Sequence, residues 1–370
     1  MSTATKLISA SRPPVLGKPA EYFYYVASKL VSGSYGYRAS LFEVDVTDPD
    51  NISTDIHGAM QYTSGNNFNY YTYAMRALPV YNGVAVAQPQ SSGYRLQFKN
   101  TRSGSTTSWT TINAASRISG IQFDEDNDAL FYTGDTGSLY SIDASDGTAK
   151  DNISVNSDAD YYGAFYIENK SKILLVAQYS SSSQAGIVNV SDPDNLSAVA
   201  SNITISNLYL QHPISEACVY DDANDRLWAV TNGGLRCYTY NGSNAFTLTN
   251  TFDFTSFFGT IYRAFCLNCD FTRGLAFVSS YNGLGIYDIS DPTNISQTDT
   301  YNTYKVGTHK YDPVGKNIFA CANHYISSGG VLSFDVSDSS NITLRDQVVY
   351  TAGNYSRNDD APSSAILFEE

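Results

Sequence analysis

The chain has 370 residues, 42% hydrophobic and only 16% charged, so it can bury a large core but lacks the Glu, Lys and Arg that cover long surface helices. A formal net charge of −14 opposes binding to nucleic acid or anionic membranes, and no apolar run is long enough for a membrane-spanning helix. Five cysteines, an odd number, exclude a complete set of intramolecular disulfides.

Residues 1–21 read as an extended N-terminal segment containing Pro13-Pro14, without the apolar core of a signal peptide. Synthesis in the cytoplasm is therefore expected, with incorporation into a virion or surface assembly as a route outward; the compartment stays open. From residue 22 a unit begins to repeat. Val44-Asp-Val-Thr-Asp-Pro-Asp-Asn-Ile-Ser53 returns as Val188-Asn-Val-Ser-Asp-Pro-Asp-Asn-Leu-Ser197. It returns again as Tyr287-Asp-Ile-Ser-Asp-Pro-Thr-Asn-Ile-Ser296 and as Phe334-Asp-Val-Ser-Asp-Ser-Ser-Asn-Ile-Thr343, 47 residues apart at their starts. Ile142-Asp-Ala-Ser-Asp-Gly-Thr148 is a worn copy, and drifted copies are placed at Arg95–Asn100 and Arg236–Asn241.

Each unit reads as four strands. An inner strand and a tight turn, such as Asp221-Asp-Ala-Asn-Asp225, precede an apolar run such as Leu227-Trp-Ala-Val-Thr231. A Gly- or Ser-rich break follows, then the alternating motif strand, which Asp-Pro ends because proline cannot donate to a ladder and Asp caps a turn. A short fourth strand closes the unit. The abundance of Tyr, 30 residues, suits strands whose rings are buried while their hydroxyls stay wet. Units fall at 22–64, 70–113, 117–155, 161–205, 208–254, 260–302 and 303–351. The expectation is an all-β chain folded as a single β-propeller of seven four-stranded blades over 22–351. The first unit lacks an inner strand, which either Lys6–Ala10 or Ser364–Phe368, in the C-terminal segment 352–370, would supply; Ala365-Ile-Leu-Phe368 is the more strand-like.

The unit resembles the LVIVD repeat, a β-propeller repeat with an apolar strand, a Gly break and a V-D-V-S-D-P-x-N-P turn. Here Ile or Leu stands at the second proline: Ile52, Leu196, Ile295 and Ile342. The resemblance covers most of the chain in four or five units and implies a fold rather than an activity.

Local motifs mostly read as turns and strands. Cys266-Leu-Asn-Cys269 has CxxC spacing but no second ligand pair, so both thiols are expected at ordinary strand positions. Asp124, Asp126 and Asp128 alternate as in a calcium loop but lack its Gly and terminal Glu, which favours a hairpin turn. The Asn-x-Ser/Thr sequons at Asn51, Asn195, Asn294 and Asn341 recur at one repeat position and read as turn chemistry. There is no HExxH, phosphate loop or nucleophile elbow, so no catalytic residue, metal or cofactor is expected.

One constellation points to a site. Aligned on the first turn, Arg117, Arg263 and Lys305 share a position, with Arg76, His212 and His309 at even offsets and hence on the same strand face. Tyr70, Tyr161 and Tyr262 lie just upstream, near one mouth of the axial channel. Cations with aromatic faces suit a sugar or an anionic ligand; the same groups also serve to offset carboxylates and to fill gaps between blades. The expected function is a non-catalytic recognition, adhesion or assembly module with a glycan or protein partner, without nucleic acid or membrane insertion. The alternatives are an enzyme acting on a polysaccharide or small molecule at the channel, and a purely structural ring.

Overall fold

The computed structural model describes residues 19–31, 36–59, 74–90, 93–100, 106–108, 118, 120–134, 137–155, 160–168, 171–179, 182–206, 208, 216–231, 233–242, 245–254, 264–280, 282–322, 330–349 and 365–368. Among the described residues the regular elements are strands, apart from the 3-10 turn at Pro79–Tyr81 and a 3-10 residue at Phe254. The chain opens with β1 (Tyr22–Val31), β2 (Gly36–Asp45) and β3 (Ser53–Ala59). Next come β4 (Met75–Leu78), β5 (Gly83–Gln90), β6 (Gly93–Asn100) and β7 (Thr106–Ser108), then β8 (Ile121–Asp124), β9 (Ala129–Thr133), β10 (Ser138–Asp143) and β11 (Ala149–Ser154). They are followed by β12 (Asp160–Ile167), β13 (Lys172–Tyr179), β14 (Ser182–Asn189) and β15 (Ser197–Ile205), and by β16 (Cys218–Asp221), β17 (Arg226–Thr231), β18 (Gly234–Tyr240) and β19 (Ala245–Phe252). The last sets are β20 (Ala264–Asp270), β21 (Leu275–Ser280), β22 (Gly283–Asp288) and β23 (Ser296–Tyr301), then β24 (Val306–Asp312), β25 (Asn317–Ala322), β26 (Gly330–Asp335) and β27 (Thr343–Val349), with β28 (Ala365–Phe368) alone at the end.

From β4 to β27 each consecutive four strands form an antiparallel meander, and β28-β1-β2-β3 is a further sheet of four. The meanders β12–β15 and β16–β19 share one sheet, because their outer strands meet in a short parallel pair, Thr204 with Ala245 and Ile205 with Phe246. The inner strands touch in the cyclic order β28, β4, β8, β12, β16, β20, β24 and back to β28. That closed circuit is a propeller arrangement. The inner strand missing from the first unit is β28, whose residues 365–368 pair antiparallel with Tyr22–Tyr25. Lys6–Ala10, the other candidate, lies outside the described residues.

The core lies between sheets rather than within them. Phe123 and Leu130 pack with Leu78 and Leu96 of the preceding meander. Trp228 and Val230 pack with Leu267 and Val278 of the next. Strand residues of one parity serve one neighbour and those of the other parity serve the other, so the apolar second strands are buried on both faces. The Gly breaks are steric: at Gly283, φ is +131° and a Cβ would stand 1.8 Å from the Tyr301 carbonyl oxygen; at Gly234, φ is +142° and the corresponding approach to Phe252 is 2.0 Å.

The repeated Asp turns have one design. In the copies at Asp48, Asp192, Asp291 and Asp338, the carbonyl accepts the N–H of the sequon Asn three residues on, at 3.0–3.2 Å. The carboxylate of the same Asp accepts the intervening N–H at 2.9–3.1 Å. The next residue, Ile52, Leu196, Ile295 or Ile342, is buried as a plug. In three copies its N–H donates to a carboxylate on the preceding meander: Ile52 to Asp346 at 2.8 Å, Leu196 to Asp151 at 2.7 Å and Ile342 to Asp299 at 2.6 Å. The preceding strand for Ile295 is β19, which has no carboxylate. A proline at Ile52, Leu196 or Ile342 would lack the N–H that makes this bond. Ile342→Pro is expected to destabilise by about 2–3 kcal/mol through loss of a hydrogen bond to a charged group. Adding Asp299→Asn to that variant should change little. A melting curve of Ile342→Pro that overlays the parent's would remove this bond from the account.

Candidate functional site

Of the nine residues the sequence singles out, Tyr70, Arg117, His212, Tyr262 and Arg263 lie outside the described residues. Tyr161 is on β12, paired with Ala177. Arg76 is on β4, Lys305 precedes β24, and His309 is on β24. The shared face expected for Lys305 and His309 is corrected here. Between Val306 and His309 the strand carries a bulge, with Val306 opposite Ala322 and His309 opposite Ala320. The extra residue reverses the parity, so an even offset no longer means a common face. Lys305 is half-buried, whereas Lys310, which the sequence reading passed over, is buried.

Lys310 forms a buried ion pair with Glu216, which stands just before β16. In the ring β20 separates their strands, so the pair reaches past an intervening blade on the axial side. The thiol of Cys266 on β20 donates to the carbonyl of His309 at 3.3 Å and lies 3.7 Å from Glu216 Oε2. Asn268 completes the junction: its Nδ2 donates to the same carbonyl at 3.2 Å and its Oδ1 accepts from the Tyr311 N–H at 3.0 Å. Burial pushes the Cys266 thiol well up, with Glu216 adding to the shift, so it is a protonated packing group. Cys269, three residues on, sits on the other face in the core shared with the preceding meander. A CxxC on a strand thus points its thiols apart, as the strand-position reading requires, and none of the five cysteines is in a disulfide.

His309 is fully buried, and among the described residues neither ring nitrogen has a hydrogen-bond partner of normal geometry. Burial brings its pKa down to about 3, with Lys310 beside it acting the same way; the nearby Phe277 backbone pulls weakly in the other direction. The ring is neutral at pH 7.

Across the ring lies a second polar group. Arg76 is only 6% exposed, and its Nε is sealed without a hydrogen bond among the described residues. Burial lowers its pKa to about 10, and its nearest electrostatic partner is Tyr166 on β12, past the intervening β8. Tyr166 is 7% exposed, and its hydroxyl has no partner among the described residues; its pKa is raised by burial first and then by Asp124. Gln122 on β8 donates Nε2 to the Ala164 carbonyl at 2.5 Å and leaves Oε1 unpaired. The Asp124 carboxylate is committed to its hairpin, accepting from Asp126 N–H at 3.1 Å and Asn127 Nδ2 at 2.9 Å. That is the turn expected for the alternating Asp residues.

Gln122, Lys310 and Asn268 escaped the sequence reading, yet a signal for them exists. Each stands two residues before the Asp that ends an inner strand, Asp124, Asp312 or Asp270, and Arg76 stands two before Leu78 at the end of β4. Aligning the units on the strand end instead of on cations finds the polar position at once.

No known family's sequence profile matches the chain, and no curated protein matches by sequence. Solved structures do match. A protein from Lactobacillus plantarum aligns with a TM-score of 0.65 at 12% identity, over 95% of this chain and 100% of that one. The periplasmic gluconolactonase PpgL of Pseudomonas aeruginosa aligns at 0.57 and 9% identity, over 93% and 99%. A chain of the mitotic checkpoint complex aligns at 0.54 and 12% identity, over 78% and 82%. At such identities these likenesses establish the fold alone. Among the described residues no helix is long and apolar enough to cross a membrane.

Proposed function

We propose that the chain is a seven-bladed propeller of LVIVD-like repeats that acts as a non-catalytic recognition module, binding a glycan or protein partner at the axial channel. Its blades span 22–351, with residues 352–370 bringing the closing strand and residues 1–21 forming a tether to a larger assembly such as a virion or surface structure. The count of seven is supported by dividing the eight-stranded sheet at its two-residue parallel seam, which leaves meanders of four throughout. The likeness to a chain of a multiprotein complex fits a partner-binding role.

The observation that carries the reading is Arg76, a buried guanidinium on an inner strand whose Nε has no hydrogen-bond partner among the described residues. A buried donor left unpaired calls for a partner such as a water, an ion or a ligand. The groups that would favour an enzyme, Cys266, His309 and Glu216, are in forms unsuited to turnover: a protonated thiol, a sealed neutral imidazole and a carboxylate paired with Lys310. The test is a glycan array with the parent and with an Arg117→Ala/Arg263→Ala variant, beside an acid-release assay on gluconolactone. Glycan binding by the parent, weakened in the folded variant and without lactone hydrolysis, is the expected result. Hydrolysis above the buffer rate would replace this reading with the enzyme reading, and an empty array with no hydrolysis would favour a structural ring.

A further inference from the structure

We infer that the outer strand β15 is a self-association edge, through which two copies of the chain meet antiparallel about a twofold axis at Val199. The contact lies on the rim, so it stands apart from the recognition reading of the axial channel.

The outer strands of this propeller commonly hold the next blade. In five meanders the pairing of third and fourth strands carries a one-residue bulge, and the extra residues are Lys150, Val199, Thr249, Thr298 and Arg345. Three of them reach the Asp turn of the following meander: Lys150 to Asp194 at 3.9 Å, Thr298 to the Ser339 carbonyl at 2.6 Å and Arg345 to Asp50 at 3.3 Å. The residue after each is Asp151, Asp299 or Asp346, the carboxylate that accepts the plug N–H of the same turn. β15 has Val199 and Ala200 at these two places and can form neither bond. It pairs with the next meander only at Thr204 and Ile205, which leaves the edge of residues 197–203 without a strand partner among the described residues.

That edge lacks the usual guards. β3, β11, β23 and β27 each carry an Asp, and β19 exposes Thr247, Thr249 and Thr251. β15 has no charge: Ser197, Ala198, Val199 and Ser201 are exposed, Val199 by 50%, and Ala200 is half-buried. The order of these residues selects a second copy as the occupant. Ser197-Ala-Val-Ala-Ser201 reads the same in both directions. Laid antiparallel on itself, it sets Val199 opposite Val199, Ala198 opposite Ala200 and Ser197 opposite Ser201, the self-complementarity that an isologous contact requires. In a chain of net charge −14, an uncharged edge is where two copies approach with little repulsion. The bulge at Val199 interrupts a continuous ladder, so side chains make the contact, and its small area makes the dimer weak.

The experiment is sedimentation equilibrium of the full chain from about 10 µM to about 1 mM, the range in which a small interface associates. The mass is expected to rise from monomer towards dimer across that range. Val199→Lys sets two ammonium groups against each other at the axis and should weaken dimerisation about tenfold or more. Val314→Lys, at an exposed valine on another turn, should leave it unchanged. Val199→Lys should fold as the parent does, because Lys150 and Arg345 occupy the equivalent place, and a melting curve checks this. Oxidation with diamide reads the register. Val199→Cys should give a disulfide-linked dimer, since the axis brings its two copies together, and Ser201→Cys should not. The natural cysteines are all buried. A parent that stays monomeric at about 1 mM, whether or not it binds a different protein, would overturn the inference. So would dimerisation untouched by Val199→Lys, or cross-linking of Ser201→Cys as efficient as that of Val199→Cys.

Discussion

Deleting residues 357–370 is expected to open the ring and to lower stability by at least about 4 kcal/mol, on the order of 5 °C in Tm for a chain of this size. The reasoning is topological. β28 is the only strand of its sheet that comes from the C-terminus, and its four residues pair with Tyr22, Phe23, Tyr24 and Tyr25. Without it β1 becomes an unpaired edge, and the contacts of β28 with β24 and β4 are lost. Two bonds at the same seam would remain, Ala20 N–H to Asp312 at 3.2 Å and Ile52 N–H to Asp346 at 2.8 Å. The outer ion pairs of Arg345 with Asp50 and Asp335 would also remain, but exposed pairs contribute little. The shortened chain should therefore melt early and self-associate through its free edge, whereas removal of 369–370 alone should leave the melt unchanged. A deletion of 357–370 that stays monomeric and melts with the parent would show that closure does not depend on the C-terminal strand.

The fold was legible because the repeat advertises itself at a position under two constraints at once. Asp or Asn, an apolar residue, Ser or Thr, Asp, two further residues, Asn and an apolar residue fit one turn and one plug, so they recur together. The closing strand was legible as well, since Ala365-Ile-Leu-Phe368 is a compact apolar run where one strand was missing. The axial groups were not. Counting even offsets from Lys305 to His309 assumes a regular strand, and the bulge after Val306 is invisible in the residue string. Nor does sequence show that Lys310 meets Glu216, 94 residues away, because the pairing depends on the ring being closed. Arg76 was found as a cation, but that its buried Nε has no hydrogen-bond partner among the described residues belongs to the three-dimensional arrangement alone.

His309 should make the fold acid-sensitive in a defined window. Its folded pKa is about 3, below the ordinary 6.5, because burial and Lys310 disfavour the imidazolium. A base with a depressed folded pKa leaves stability untouched above 6.5, where both states are neutral. Below 6.5 the unfolded chain takes up a proton that the folded chain refuses, so stability falls as pH falls, by up to about 1.4 kcal/mol per pH unit, until the folded ring itself protonates near 3. Between pH 6.5 and 5 that amounts to a loss of about 2 kcal/mol. The lowered carboxylates, Asp143, Asp291, Asp335 and Asp338, give up their contributions at lower pH, around and below the ordinary 3.8, so they lie outside this window. Asp312, whose pKa burial raises, acts in the opposite direction, since the folded chain then takes its proton first. The comparison that isolates His309 is urea unfolding of the parent and of His309→Leu at pH 7.5 and pH 5.0. Leu removes both unpaired nitrogens and keeps an apolar body in a sealed place, so the variant should match or exceed the parent at pH 7.5. At pH 5.0 it should lose about 2 kcal/mol less than the parent does. Equal losses in the two proteins would mean that the imidazole is protonated in the folded state, and that its site is wetter or better partnered than the sealed one described here.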